Sequence, residues 1–192
     1  RFQIRFVDIH SSHKKLVYTL KEFPQHTVVT CDDDMIYRPD WLSKLYKDHT
    51  AHPKNIIAND VRKVSYDENN ELLPYTRWSA RNDARECAEE YVSIGYAGVL
   101  FPANTLYSDV GNQALFLKLT PKADDLWFKA MSHLQGTIIR KASNPGKKPI
   151  PIAFTQGSAL KSSNITHDQN RPQWQALCQH YGEKLSTLGQ NA

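Results

Sequence analysis

The chain has 192 residues, a formal net charge of +4 and a composition in which 40% of the residues are hydrophobic. This length is sufficient for one domain with a real core, and the composition is typical of a soluble globular protein. The charge is mild and no basic block stands out, so the sequence does not indicate nucleic acid as a partner.

The cysteines and the hydropathy pattern indicate a cellular compartment. Cys31, Cys87 and Cys178 are widely spaced and odd in number, which favours a reducing environment over a disulfide framework. No apolar run approaches the length of a membrane span, and no signal peptide is visible. We therefore expect a cytoplasmic protein without a transmembrane segment.

The first thirty residues predict a strand, a helix and a second strand. Residues 2–6 alternate apolar and polar side chains, which is strand periodicity. Residues 11–23 place Leu16 and Leu20 at helical spacing, and a proline ends the helix. Residues 27–30 form a short β-branched run that is typical of a buried central strand. This order is the signature of a parallel βαβ unit.

Helices and strands continue to interleave along the rest of the chain. The polar stretch 74–90 is predicted to be an excursion or lid. The remaining predicted elements are helices over 39–52, 112–119, 120–136 and 171–185, and strands over 55–58, 61–66, 92–102, 137–140 and 151–155. We predict one α/β domain over residues 1–192, with a mixed, mostly parallel central sheet flanked by helices.

Three consecutive aspartates, Asp32, Asp33 and Asp34, follow the strand at 27–30. Open α/β sheets bind their ligands at the carboxyl ends of strands. Adjacent carboxylates repel one another unless a cation lies among them or water solvates them, and hard oxygen ligands suit Mg²⁺ or Mn²⁺. The alternative is a solvated acidic loop that complements the dipole of the next helix.

Three blocks of sequence carry a family resemblance. The first is the strand that ends in Asp-x-Asp, followed by Tyr-x-Pro and a helix that begins at Trp41. The second is GYAGVLFP at residues 95–102, and the third is ADDLWF at residues 123–128. In order and spacing the blocks resemble GT-A nucleotide-sugar glycosyltransferases, specifically bacterial family-2-like enzymes that build surface polysaccharides. Such enzymes begin with a βα unit that binds the nucleotide base. The chain opens at Arg1 in mid-pattern, so we expect a fragment without that unit.

The resemblance implies a role for each acidic group. Asp34 is expected to bind Mn²⁺ or Mg²⁺, and Asp32 to bind the metal or the donor ribose, with Asp33 between them in the donor site. Asp125 is expected to be the general base, and Asp124 to bind the acceptor or to orient the base. Acids in the first turn of a helix also complement its dipole, which is the alternative for this pair.

Other residues are assigned to the same site. Lys15 could meet the donor diphosphate, and Gly98 would let the backbone approach the donor sugar because glycine has no side chain. His167 is a candidate for a further metal ligand late in the chain. Trp78, in a polar stretch, is the candidate sugar platform, whereas Trp127 is predicted to lie in the core.

The resemblance implies an inverting, metal-dependent transfer of a sugar from a nucleoside diphosphate, UDP being the commonest in the family. The acceptor would be a hydroxyl of a glycan or a lipid-linked glycan in polysaccharide or lipopolysaccharide synthesis. The inverting outcome follows from the base assignment, since residues 167–174 lack the glycine and lysine of the motif found in retaining enzymes. We expect such an enzyme in the cytoplasm, with peripheral association at the inner face of the membrane.

Two other functions stay open. A strand followed by Asp-x-Asp resembles the first motif of haloacid-dehalogenase-like phosphatases, in which the first aspartate is a nucleophile. Ile36 stands where that motif has Thr or Val. The chain could also be a non-catalytic carbohydrate-binding protein on a glycosyltransferase-like fold, because a fold alone does not establish activity. An EF-hand is excluded because Ser43 stands where its last ligand, a glutamate, is required.

Overall fold

The computed structural model describes residues 3–153, 167–186 and 188, and within these ranges helices and strands alternate. The α-helices of these ranges are α1 Lys14–Glu22, α2 Trp41–Ala51, α3 Gln113–Leu119, α4 Asp124–Leu134, α5 Asn170–Tyr181 and α6 Glu183–Ser186. The strands there are β1 Val28–Thr30, β2 Met35–Ile36, β3 Ile56–Ala58, β4 Val61–Lys63, β5 Cys87–Ala88, β6 Tyr91–Ser93, β7 Val99–Phe101, β8 Ile139–Lys141 and β9 Ile150–Pro151.

The central sheet has five strands in the order β1-β7-β3-β8-β5, beside the two-stranded sheets β2-β9 and β4-β6. The β3–β8 pair is parallel, whereas the other three pairs of the central sheet are antiparallel. The mixed α/β class is confirmed, but the prediction of a mostly parallel sheet is wrong. Strands β1, β3 and β8 do run in one direction, but β7 is inserted in reverse between β1 and β3.

Strand β1 lies at one edge of the central sheet in the part of the chain that is described, with β7 as its neighbour. The prediction of a central position is therefore wrong. Val28 and Thr30 are nevertheless buried, because α1 packs against this strand. Burial by a helix produces the same apolar run in the sequence as burial between two strands.

The predicted first strand does not form over the described residues 3–6. Ile4 is 77% exposed and Phe6 is 95% exposed. Alternating side chains indicate which face a strand could bury, but they do not provide the neighbouring strand that satisfies the backbone. The parallel βαβ unit predicted for the first thirty residues is accordingly not formed by the described residues.

The predicted lid at 74–90 is wrong, because this stretch contributes to the core and to the main sheet. Strand β5 pairs with β8, and Trp78 is completely buried. The Trp78 ring meets Trp174 edge to face at 6.0 Å, and its Nε1 donates to the Leu73 carbonyl at 2.9 Å. Trp78 therefore has no face open to a sugar. Trp127 is buried in α4 as predicted.

Most of the remaining predicted elements agree with the structure to within a few residues. The strand predicted at 92–102 is instead two strands in two sheets, β6 beside β4 and β7 in the central sheet, and a 3₁₀ helix at Gly95–Ala97 separates them. The predicted terminal helix is divided into α5 and α6 at Gly182, which has a φ of 64°. The predicted strand at 151–155 begins at Ile150, but residues 154 and 155 lie outside the described residues. Over the described ranges, no helix combines the length and the apolar character needed to cross a membrane.

Helix α4 lies at the centre of the core and buries a lysine. Lys129 is 1% exposed, and its Nζ donates to the Glu89 carbonyl. Burial lowers the pKa of Lys129 to about 7, whereas a lysine in an unfolded chain titrates near about 10.4. Between these values the unfolded chain binds the extra proton, so this group makes the protein more stable as the pH rises.

We expect the free energy of unfolding of the wild type, relative to Lys129→Met, to rise by about 1 kcal/mol per pH unit between about pH 8 and about pH 9.5. Urea denaturation of both proteins across this range measures the difference. Lys118→Met, which changes an exposed lysine, is the control. Its free energy of unfolding should change with pH as that of the wild type does. A Lys129→Met curve that also runs parallel to the wild type would show that Lys129 is charged in the folded protein.

Candidate functional site

The register of the central sheet brings distant segments to one edge. Thr30 at the end of β1 pairs with Val99 at the start of β7, and Val99 also pairs with Ala58 at the end of β3. The aspartate triplet follows Thr30, and the one-turn 3₁₀ helix Gly95–Ala97 precedes β7. The acids and the glycine-containing turn are therefore neighbours, although more than sixty residues separate them in sequence.

Lys15 is the centre of a cluster of charges at this edge. Its Nζ lies 2.7 Å from Asp32 Oδ1 and 3.2 Å from Asp124 Oδ2. Burial opposes the charge on this ammonium, but the carboxylates of Asp124, Asp125 and Asp32 outweigh burial and raise the pKa of Lys15. The structure thus unites four of the residues assigned from sequence, namely Lys15, Asp32, Asp124 and Asp125.

The pKa values of the two aspartates at the start of α4 are shifted in opposite directions. Asp125 Oδ1 accepts a hydrogen bond from the Gly95 backbone N–H at 3.0 Å. Burial and the adjacent Asp124 carboxylate raise the pKa of Asp125 to about 8. Burial opposes ionisation of Asp124 as well, but Lys15 and a hydrogen bond from Ser12 hold its pKa below the usual range. Asp125 is therefore the member that can exchange a proton near neutral pH.

Three positioning residues were missed by the sequence-based assignment. Ser12 Oγ donates to Asp124 Oδ1 at 2.8 Å. The Tyr37 hydroxyl accepts the Asp32 backbone N–H and donates to the Tyr96 carbonyl, each at 2.8 Å. A Cβ on Gly95 would lie 3.0 Å from both Asp125 Oδ1 and Lys15 Nζ, so glycine leaves room for the charge cluster. Tyr37 and Gly95 lie within the conspicuous sequence blocks, whereas the sequence marks Ser12 only as a possible helix cap.

The predicted metal ligands are not brought together as a set. Asp33 and Asp34 lie in the turn between β1 and β2, with Asp33 exposed and Asp34 partly buried. His167 is exposed in the turn before α5. Among the residues described, no group of three His, Cys, Asp or Glu side chains could hold a metal ion. Any cation at the triplet would therefore be held by one or two carboxylates together with substrate oxygens, as Mg²⁺ often is.

Gly98 packs against an aromatic ring. Its φ is 99°, and a Cβ there would lie 2.3 Å from Trp41 Cζ2. Trp41 Nε1 donates to the Ala97 carbonyl at 2.9 Å, which holds the indole over the glycine. The predicted approach of Gly98 to a donor sugar is thus replaced by a contact with Trp41.

We expect Gly98→Ala to lower the free energy of unfolding by about 2–4 kcal/mol, because it combines an unfavourable φ with an overlap onto Trp41. Urea denaturation measures the loss. Gly111→Ala is the matched control, since a Cβ at Gly111 would meet nothing within 4 Å. Equal stability of the two variants would mean that the Trp41 indole does not rest on Gly98.

A cleft of about 530 Å³ has Ala97, the last residue of the Gly95–Ala97 turn, among its lining residues. Its walls include Trp41, Asn59 and Ala97. The Gly95 N–H binds Asp125. Ala97 follows Gly95 by two residues, so the Cα atoms of Gly95 and Ala97 lie no more than about 7 Å apart. The charge cluster and the cleft are therefore separated by a single turn of backbone.

Comparison of the chain with protein-family models, with curated proteins and with solved structures gave no match. The geometry of the charge cluster and of the adjoining cleft is therefore what bears on function.

Proposed function

We propose that the protein is an inverting glycosyltransferase that uses a nucleoside diphosphate sugar as donor. The observation that carries the proposal is the convergence of Lys15, Asp32 and Asp125 at one edge of the sheet, against the Gly95 backbone. Asp32, Gly95 and Asp125 each lie in one of the three sequence blocks that carry the resemblance. Lys15 lies in α1, which precedes the first block. A group of acids that served only to complement helix dipoles would have no reason to converge on one lysine.

Asp125 is the proposed general base. Its carboxylate takes the proton of the acceptor hydroxyl as that oxygen bonds to the anomeric carbon of the donor. The bond from the anomeric carbon to the diphosphate breaks in the same step, and the diphosphate leaves with its electron pair. A raised pKa suits this role, since a base is most effective when its pKa is near the working pH.

Lys15 and Asp124 set the charge around this base. Lys15 supplies a positive charge close to where the diphosphate would leave, and Asp124 keeps that lysine beside Asp125. Mn²⁺ or Mg²⁺, held by Asp34 with Asp33 or Asp32, would supply further positive charge to the leaving phosphates. UDP is the first donor nucleotide to test, and a glycan or lipid-linked glycan at the cytoplasmic face of a membrane is the proposed acceptor.

A thermal shift titration with UDP, GDP and CDP, with and without Mn²⁺, tests the proposal. A ligand that binds the native state raises its stability by mass action, by about 2.7 kcal/mol at a hundredfold excess over Kd. We expect a metal-dependent shift with one of the three nucleotides and its loss in Asp34→Ala. Inorganic pyrophosphate with Mn²⁺ is titrated as well, because it needs the metal and Lys15 but no base-binding unit. The absence of a shift with all three nucleotides and with pyrophosphate would contradict the transferase proposal for this chain.

One observation favours a phosphatase as the second candidate. Asp32 Oδ1 lies 2.7 Å from Lys15 Nζ, and a lysine beside an aspartate nucleophile would stabilise a phosphorylated intermediate. Hydrolysis of a generic phosphomonoester, lost in Asp32→Asn, would support this candidate. We rank it second because the turn at Gly95 and the base at Asp125 have no part in that reaction.

A further inference from the structure

The cleft beside the charge cluster is strongly basic. It is lined by five basic side chains and one acidic side chain, namely Arg62, Arg81, Lys141, Lys147, Lys148 and Asp60. The whole chain has a net charge of +4 from 24 basic and 20 acidic residues, so positive charge is concentrated at this one surface. A cleft of about 530 Å³ is within the range of roughly 300–1,000 Å³ that is usual for ligand sites.

Some of these cations are held by the protein and others are free for a ligand. Lys148 Nζ pairs with Asp60 Oδ2 at 2.9 Å, and the Arg62 guanidinium lies 4.6 Å from the centre of the Tyr75 ring. The exposed side chains of Arg81 and Lys147 have no hydrogen-bond or ion-pair partner within the described ranges of the chain. Two unpaired cations in the lining of one cleft favour a ligand with more than one negative charge.

The lining also contains groups suited to a sugar. Trp41 is partly buried and lines the cleft beside Asn59. The Asn59 amide donates to the Ala97 carbonyl at 3.0 Å, which leaves its Oδ1 buried with no hydrogen-bond partner among the described residues. An unpaired buried acceptor is costly, so a small movement of this amide toward a ligand hydroxyl in the cleft would be favourable. Thr76 and Ser79 add hydroxyl groups to the same wall.

We infer that this cleft binds an anionic saccharide, a glycan bearing carboxylate or phosphate groups, as the acceptor. The assignment rests on the proposed glycosyl transfer and on the short distance along the chain between the two sites: Ala97 lines the cleft, and Gly95, two residues earlier, binds Asp125 through its N–H. Arg81 and Lys147 pair with the anionic groups of the saccharide, and the Trp41 side chain contacts one of its sugar rings.

Isothermal titration of the full chain, with neither nucleotide nor metal present, tests the inference. The probes are a pentamer of galacturonic acid, a phosphorylated maltopentaose, neutral maltopentaose and a five-residue thymidine oligonucleotide. We expect at least one of the first two to bind at least tenfold more tightly than maltopentaose and than the oligonucleotide at low salt. The preference over maltopentaose should shrink at about 0.5 M salt, where charges are screened. The tighter of the two anionic probes identifies the anion as carboxylate or phosphate.

Two double variants distinguish binding in the cleft from attraction to the positive charge of the whole surface. The double variant Arg81→Gln with Lys147→Gln should weaken binding of the anionic pentamer by about tenfold. Lys54→Gln with Lys118→Gln removes the same charge from exposed lysines outside the cleft and should leave binding unchanged. Equal weakening in both double variants, or equal binding of maltopentaose or the oligonucleotide, would overturn the inference. Anionic saccharide binding without any nucleotide binding would contradict the transferase proposal alone.

Discussion

Replacing Asp125 by asparagine is expected to lower the rate of sugar transfer by about 10²–10⁴-fold, the usual contribution of a general base. Asparagine keeps the oxygen that accepts the Gly95 N–H, so the local geometry is preserved while the proton acceptor is lost. The measurement is turnover of the donor that the nucleotide titration identifies. In the wild type, turnover should rise with pH and level off above about pH 8, where Asp125 is ionised. This rise should be absent from the residual activity of the variant.

The same substitution is expected to stabilise the protein at alkaline pH. The folded pKa of Asp125 is raised to about 8, whereas aspartate in an unfolded chain titrates near about 3.9. The protonated carboxyl therefore favours the folded state at low pH, and this stability is lost as the pH rises through about 8. Above that pH we expect Asp125→Asn to be more stable than the wild type by about 1–3 kcal/mol, discounted because the side chain is partly exposed.

A variant that loses activity and gains stability would be hard to explain by misfolding. Glu68→Gln, which changes an exposed acid in a turn, is the control and should alter neither quantity. Near-normal turnover in Asp125→Asn would remove this residue from the mechanism. A loss of stability at alkaline pH would show instead that the carboxylate is well compensated in the folded protein.

Removing the positive charge of Lys15 is expected to have the largest effect on stability. Lys15→Met leaves the carboxylates of Asp32, Asp124 and Asp125 without their shared cation. Breaking a buried ion pair from one side typically costs about 3–5 kcal/mol. The side chain of Lys15 is 21% exposed, so solvent only partly compensates for the loss. We expect a loss of that size in urea denaturation at about pH 8.

The pH dependence of this loss identifies its cause. Without Lys15 the pKa of Asp125 rises further and the pKa of Asp124 is no longer held down. Acids with raised pKa values lose stability as the pH increases. The destabilisation should therefore be smaller at about pH 5 than at about pH 8. Lys14→Met, at an exposed neighbour on the same helix, is the control, and Lys15→Arg should retain most of the stability. If Lys15→Met is no less stable than Lys14→Met, the charge cluster does not hold this edge together.

The charge cluster and the cleft give the proposal two independent tests. The proton chemistry belongs to Asp125 and its neighbours, whereas recognition of an acceptor belongs to the basic cleft. The Gly95–Ala97 turn joins them, with Gly95 N–H on Asp125 and the Ala97 carbonyl on Trp41. A substitution that moves this turn should therefore affect both reactivity and binding.

The local elements and the residue types of the site can be read from the amino-acid order alone. Helical spacing of apolar residues correctly predicted α1, α2 and α4, because the 3.6-residue period is a property of the local backbone. The residues of the three blocks were also conspicuous, since glycines and paired acids stand out by their side-chain chemistry. Lys15, Asp32, Asp124 and Asp125 were named from the sequence, and the structure brings these four together.

The pairing of the strands, the burial of the aromatic side chains and the meeting of the charges depend on long-range contacts. The insertion of β7 between β1 and β3 depends on contacts between residues far apart, and the apolar run of a strand does not encode its neighbour. Trp78 has polar neighbours in sequence but is buried against Trp174, almost a hundred residues later. The five basic residues of the cleft are likewise scattered from Arg62 to Lys148. Side-chain spacing reports local geometry, whereas burial and electrostatics depend on the groups that folding brings within a few ångströms.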